Sequence, residues 1–482
     1  MKIYRILSLS LILILFTISV SSVFSSDLHL AQEKIGTSNE KTDLIHNSIE
    51  LDERVEECSS VIVTGSAAKD GRAILMKNRD WADDHFNNPI YIPSTSKTFA
   101  YVGVNTNTMG INERGLAVMN TAMPILETEP GYGNLELNRK ILLYFESVAE
   151  VANALNDTYS MIGPTYRSSS GAVATCIGVI DRFGAGAFFE ISNTEAYVQY
   201  IVDGYDTRAN HPRIFPGFAS GPNGRDQYLL DALDAVYEKN GIISWADVMQ
   251  NASRYVREKE LGTSSFSIDG EVCNPSTVAA MVAVSGDERY SGKLNVMWGS
   301  YGFTPLIGVF VPSMVLAGET PECIADLCHS TNEKWSTAKA LSSWDLLNPY
   351  RVRELQDVAF YVERYTIEEY DYLLHIVPDD LSDLQIQAYI SEYIDRTVEF
   401  TASSYIQESK SLPIPPRSIV NLTTPSIIPS TTTTFPTSTV SGTENTTTQN
   451  HTAFDGKRLL LGVGIGFSAI VLLVSVLKKR WT

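Results

Sequence analysis

Residues 57–80 read ECSSVIVTGSAAKDGRAILMKNRD. One cysteine heads an alternating apolar run, Asp70 and Gly71 punctuate it, and a second run ends in Asn78, Arg79 and Asp80. Asp-Gly between two such runs is tight-turn chemistry, so the stretch predicts a β-hairpin. With a two-residue turn there, counting back along the strands sets Asp80 opposite Val61, close to Cys58. Alternation puts Asn78 on the face of Asp80, with Lys77 and Arg79 on the other. A thiol attacks only as a thiolate or beside a base. No papain-type sequence surrounds Cys58, and local sequence marks none of the 7 histidines as its partner. The α-amino group released by cutting the Glu57–Cys58 bond is an alternative base. Its reference pKa near 8 leaves it partly neutral at pH 7, able to take the thiol proton directly or through one water. The plainer reading is a small buried cysteine, or half of a disulfide, followed by a solvated KNRD loop.

Outward from this stretch, the chain opens MKIYRILSLSLILILFTISVSSVFSS, with Lys2 and Arg5 ahead of an apolar run and small residues after it, which predicts a signal peptide over residues 1–26. Residues 27–57 then form a propeptide, and cleavage before Cys58 explains why the cysteine lies beyond the signal. At the other end, Leu459–Leu477 is apolar and flanked by Lys457 and Arg458 and by Lys478, Lys479 and Arg480. That pattern fits one membrane-spanning helix and a short cytoplasmic tail within 456–482. Residues 412–455 are rich in Ser, Thr and Pro, too poor in apolar side chains to order themselves, and predict a stalk. Asn421, Asn445 and Asn450 there, with Asn156 and Asn251 upstream, stand in glycosylation sequons. The expectation is a glycosylated, single-pass protein of the cell surface with its catalytic part outside.

The formal charge of −19 disfavours nucleic acid as a partner. An odd cysteine count of 5 in an exported chain leaves at least one thiol unpaired within it. Cys58 is the candidate, and Cys323 with Cys328 could close a small disulfide. Strands are expected at 99–104, 115–121, 172–180, 186–191, 196–202, 277–285 and 293–299. Helices are expected at 139–157, 225–241 and through most of 336–409. Hairpin order with helices in blocks predicts an α+β fold with antiparallel sheets. The catalytic domain is expected over 58–335 and a helical extension over 336–411. No phosphate loop or metal-ligand spacing occurs, so neither cofactor nor metal is expected.

The runs CSSVIVTGSAAKDGRAILMKNRDW, YVGVNTNTMGINERGLAVMNTAMP and YDTRANHPRIF together resemble the N-terminal-nucleophile hydrolases. The resemblance is to their penicillin acyltransferase and carcinine hydrolase-like branch, with bile-salt hydrolases and cysteine dipeptidases as relatives. It implies a four-layer αββα sandwich and self-cleavage at Glu57–Cys58. It also implies roles for Cys58 as nucleophile, Asp80 as the carboxylate that positions it, and Asn120 and Asn210 as amides at the oxyanion or the amine. Lys77, Asn78 and Arg79 become substrate-binding candidates, although bile-salt hydrolases carry arginine where Lys77 stands. Asn112 and Gly115 read more simply as a turn, and Cys176 as core. The activity implied is hydrolysis of a linear amide of a small molecule or short peptide through a Cys58 thioester. Alternatives are acyl transfer to an amine, or a surface-binding protein that has lost catalysis; homo-oligomerisation is left open.

Overall fold

Ser59–Val63 (β1) and Ile74–Asp80 (β2) are antiparallel neighbours, buried at every position. Their register differs from the expected one. Val61 faces Met76 and Ser59 faces Asn78, which carries Asp80 past the first paired residue of β1, toward the point where the chain reaches Cys58. Asp70 and Gly71 do turn through positive φ, at 63° and 69°, but they sit inside a longer connection. It holds two short 3-10 turns, Gly65–Ala67 and Lys69–Gly71. The shift is an even number of residues, so each side chain keeps its expected face.

The computed structural model describes residues 58–418 and Val420, apart from 82–86, 124–132, 170–173, 219–220, 223, 257–265, 268–270, 287–291, 303–304 and 339–345. The expected signal peptide, the propeptide with Glu57, the stalk sequons and the 456–482 helix lie outside the described residues. Among the described residues no helix is long and apolar enough to cross a membrane.

Two antiparallel sheets carry the fold. The seven-stranded one runs in chain order: β3 (Pro89–Ile92), β4 (Tyr101–Val104), β5 (Met109–Asn112), β6 (Ala117–Ala122), β7 (Thr175–Ile180), β8 (Gly186–Ile191) and β9 (Ala196–Ile201). The six-stranded one is ordered β10-β1-β2-β12-β13-β14, with β10 at Tyr205–Arg208, β12 at Thr277–Val284, β13 at Val296–Ser300 and β14 at Val311–Ser313. A two-stranded piece joins β11 (Phe266–Ser267) to β15 (Leu346–Leu347).

The sheets lie face to face. Gly178 and Gly186 leave room for the opposite sheet: an added Cβ would come within 3.0 Å of Leu75 Cδ1 and 2.7 Å of Ile62 Cγ2 respectively. Alternation along β6 divides its side chains between two cores. Met119 joins Ile62, Leu75 and Phe188 between the sheets, whereas Val118 joins Leu137, Ile141 and Val151 beneath the Gly133–Tyr144 and Val148–Asn156 helices. The Arg225–Asn240, Pro349–Ile376 and Asp383–Ile406 helices pack Leu229, Tyr370 and Val398 against the other face of the six-stranded sheet. The order helix, sheet, sheet, helix is the expected αββα sandwich, with the C-terminal helices as one of its layers.

Two expectations need correction. The helix expected over 139–157 is two, because Ser147 caps a fresh start by accepting from the Glu150 amide. Cys323 and Cys328 are thiols and not a disulfide. Both sit on the Cys323–Ala338 helix, where five residues set side chains about 140° apart and Cα atoms beyond the ~7 Å that a disulfide spans.

Candidate active site

Ile62 packs between the sheets, and alternation through Ser60 sets Cys58 on the same face, where it is 2% exposed. Lys77 pairs with Ser60 and shares that face. Its Nζ crosses to the other sheet, donating to the Asn120 carbonyl and, at 3.3 Å, to Asn120 Oδ1. The same Oδ1 accepts from Asn138 Nδ2 at 3.1 Å, from the Gly133–Tyr144 helix. An ammonium has no acceptor, so its contact identifies Oδ1 and fixes the orientation of the Asn120 amide, whose Nδ2 end is the donor.

Asp80, at the end of β2, is buried. Its Oδ1 accepts from Thr277 Oγ1 at 2.6 Å, and its Oδ2 from Asn274 Nδ2 at 2.7 Å and Arg225 Nη1 at 2.8 Å. Such donors replace the water that burial removes from a carboxylate. Arg225 Nη2 also donates to Asn210 Oδ1 at 2.9 Å, and Asn210 Nδ2 donates to the Ala122 carbonyl at 2.8 Å. One continuous polar path thus runs from Asp80 through Arg225 and Asn210 to the end of β6, two residues from Asn120. The structure joins Asp80 to Asn210, and Lys77 to Asn120.

Asn78 takes another direction. It lies on the face of β2 opposite Lys77 and donates to the Ser253 and Val272 carbonyls at 2.8 and 3.1 Å. Arg79 donates to Asn87 Oδ1 and lies 5.2 Å over the Trp81 ring. Asn112 accepts from the amides of Arg114 and Leu116 and donates to the Leu142 and Phe145 carbonyls, while Gly115 turns at φ 79°. That is the turn expected. Cys176 is fully buried in the core, and burial pushes its thiol pKa up.

Arg225, Asn274, Thr277 and Asn138 were not foreseen. A signal for two of them existed in the run Asn274, Pro275, Ser276, Thr277. Asn274 Oδ1 accepts the Ser276 amide at 2.7 Å and Thr277 Oγ1 accepts the Asn274 amide at 3.1 Å, an Asx-type turn leading into β12. The Ser276 carbonyl then takes the Trp81 amide at 2.9 Å, locking the turn to the residue after Asp80. Arg225 opens its helix after Gly224, which turns at φ 50°.

Asp226 follows Arg225 and is fully buried; burial pushes its carboxyl up to about 6, while Arg208 and Arg213 pull the other way. The folded chain therefore holds a proton that the unfolded chain, near the ordinary 3.8, releases. Stability from this group is lost as pH rises between those two values. Asp226→Asn should flatten that slope and raise the melting temperature at neutral pH by roughly a few degrees. Thermal melts at pH 4.5 and 7.5 check this, and a less stable variant at pH 7.5 would mean that the arginines outweigh burial.

The sequence model of the family described as acyl-coenzyme A:6-aminopenicillanic acid acyl-transferase matches residues 66–217. No curated protein matches the chain. Solved structures similar to it include a conjugated bile acid hydrolase mutant from Clostridium perfringens, at 15% identity and TM-score 0.33, over 51% of this chain and 89% of that one. Others are penicillin V acylase from Agrobacterium tumefaciens (13%, 0.31, 53% and 86%) and the Caenorhabditis elegans ortholog of N-acylethanolamine-hydrolyzing acid amidase (12%, 0.28, 47% and 92%). Likenesses this remote carry no weight for chemistry. The resemblance to the N-terminal-nucleophile hydrolases, read from the motifs, holds, with the family match running from Ser66 through the segment that contains Asp80, Asn120 and Asn210.

Proposed function

From this acyl-transferase likeness and the polar path around Asp80, we infer that the chain is a cysteine amidohydrolase that makes its own nucleophile. Cleavage at Glu57–Cys58 frees the α-amine. That amine takes the Cys58 proton, and the thiolate adds to the carbonyl of a linear amide in a small molecule or short peptide. Asn120 and Asn210 stabilise the oxyanion and the amine respectively, or share the oxyanion. The amine leaves with a proton, and water releases the acyl group from the thioester. Lys77 orients Asn120. Export and a membrane tether, as residues 1–26 and 456–482 suggest, place this chemistry at the cell surface.

The observation that carries the reading is Asp80: a buried carboxylate with three donors, at the strand end where the chain reaches Cys58. Its placement suits a group that holds an ammonium and steers a thiol. Acyl transfer to an amine is the second reading, favoured by the matched family's description. N-terminal sequencing of the purified protein, combined with an amide panel assayed with and without a competing amine, tests both. A start at Cys58 with acid and amine products is expected. Turnover by a chain whose Glu57–Cys58 bond is intact would remove the α-amine from the mechanism, and acylated amine as the main product would make the protein a transferase.

A further inference from the structure

The segment that carries Asn210 is held from both sides. Upstream, Ser60 Oγ donates to the Arg208 carbonyl at 2.9 Å and Thr121 Oγ1 to the Ala209 carbonyl at 3.1 Å. These hydroxyls belong to the two strands next to Cys58 and Asn120. Downstream, three consecutive amides converge on one buried carboxylate. Glu190 Oε1 accepts from the Arg213 amide at 2.7 Å, and Oε2 from those of Ile214 and Phe215 at 2.9 and 2.7 Å. Arg208 Nε adds a fourth contact to Oε1 at 3.3 Å, with both side chains wholly buried. The Arg213 side chain assists by donating to Asp206 Oδ1 at 2.7 Å and the Thr207 carbonyl at 2.9 Å.

We propose that Glu190, paired with Arg208, is the positioning residue of the active site: it fixes the 210–215 arc so that Asn210 meets Arg225 and the end of β6. The inference rests on the catalytic reading of Asn210 given above. Glu190 acts through Asn210 and is not a catalytic residue. Only an ionised carboxylate offers enough lone pairs for four converging donors, and Arg208 supplies the charge that offsets its burial. A glutamine would turn an NH2 toward donors on one side, and an aspartate would keep the charge but fall short of the amides.

The test is a double-substitution cycle on the processed protein, with p-nitrophenyl acetate as acylating probe and iodoacetamide as a control that needs no oxyanion stabilisation. Glu190→Gln should lower the maximal burst rate of p-nitrophenol about tenfold or more, with little change in the half-saturating ester concentration or in alkylation of Cys58. In an Asn210→Ala background the same change should lower the burst by no more than about twofold, because the group it positions is gone. If Glu190→Gln does not fold, Glu190→Asp in the same two backgrounds decides. Losses that multiply, or a single variant with full burst rate, would overturn the positioning role and leave the reading of Asn210 standing. Full acylation by Asn210→Ala alone would overturn that reading, and the inference with it.

Discussion

Cys58→Ala is expected to leave the Glu57–Cys58 bond uncut and to abolish amide turnover, a loss on the order of 10⁴-fold or more if the nucleophile counts as in other acyl-transfer enzymes. Both effects come from one atom. In the proposed mechanism the thiol first attacks the carbonyl before it and later, beside its freed amine, the carbonyl of the substrate. Cys58→Ser should still mature, slowly, because a hydroxyl can attack the preceding carbonyl but is a weaker nucleophile. Cys176→Ala is the control. That thiol lies fully buried on β7, between β6 and β8, and burial holds it protonated, so its loss should cost stability and not turnover. Intact masses of the three variants and the wild type, with amide kinetics on each, check the set. Normal processing of Cys58→Ala would assign the cut to another protease, and turnover by it would remove Cys58 from the site altogether.

The strands around Cys58 were legible because their pattern is local. The two apolar runs, their alternation and the turn residues all lie within 57–80. Their register was not legible. Asp70 and Gly71 look like a complete two-residue turn, yet Thr64–Ala73 forms two successive turns around them. Asp80, Asn120 and Asn210 could be named from motifs, whereas the groups that orient them come from far along the chain. Arg225 reaches Asp80 across 145 residues, Asn274 across 194 and Thr277 across 197. In the sequence Arg225 is one more charge at the start of a helix, a place where solvated residues are common. Strand β10 was hidden for a related reason. Its residues, Tyr205–Arg208, are too polar to read as a buried strand, and 206–208 are buried because Asp206 and Arg208 find Glu190, Gln199 and Arg213. Long-range pairing of polar groups leaves no periodic trace.

Asp80→Asn should fold with a melting temperature close to that of the wild type and lose about a hundredfold or more in turnover number with little change in KM. Geometry makes this substitution a test of charge. An asparagine can keep its Oδ1 toward Asn274 and Arg225 and turn its NH2 to the Thr277 hydroxyl, which can accept, so those two donors keep their acceptor and only the Thr277 O–H has to turn elsewhere. Only the negative charge goes, and with it, in the proposed mechanism, the hold on the α-ammonium and the alignment of the thiol. Asp80→Ala, by contrast, strands the buried Asn274 and Thr277 donors and should also destabilise the fold, by about 1–3 kcal/mol for each unsatisfied group. The pH profile adds a second readout. A nearby carboxylate raises the pKa of an amine, so Asp80→Asn should lower it and move the acid limb of activity, where the amine loses its proton, to lower pH. Steady-state kinetics from pH 4 to 9 on one hydrolysed amide decide the matter. An unchanged turnover number would take Asp80 out of the site, and a lowered one with an unmoved acid limb would separate Asp80 from the amine and leave it a scaffold for Arg225 and Asn210.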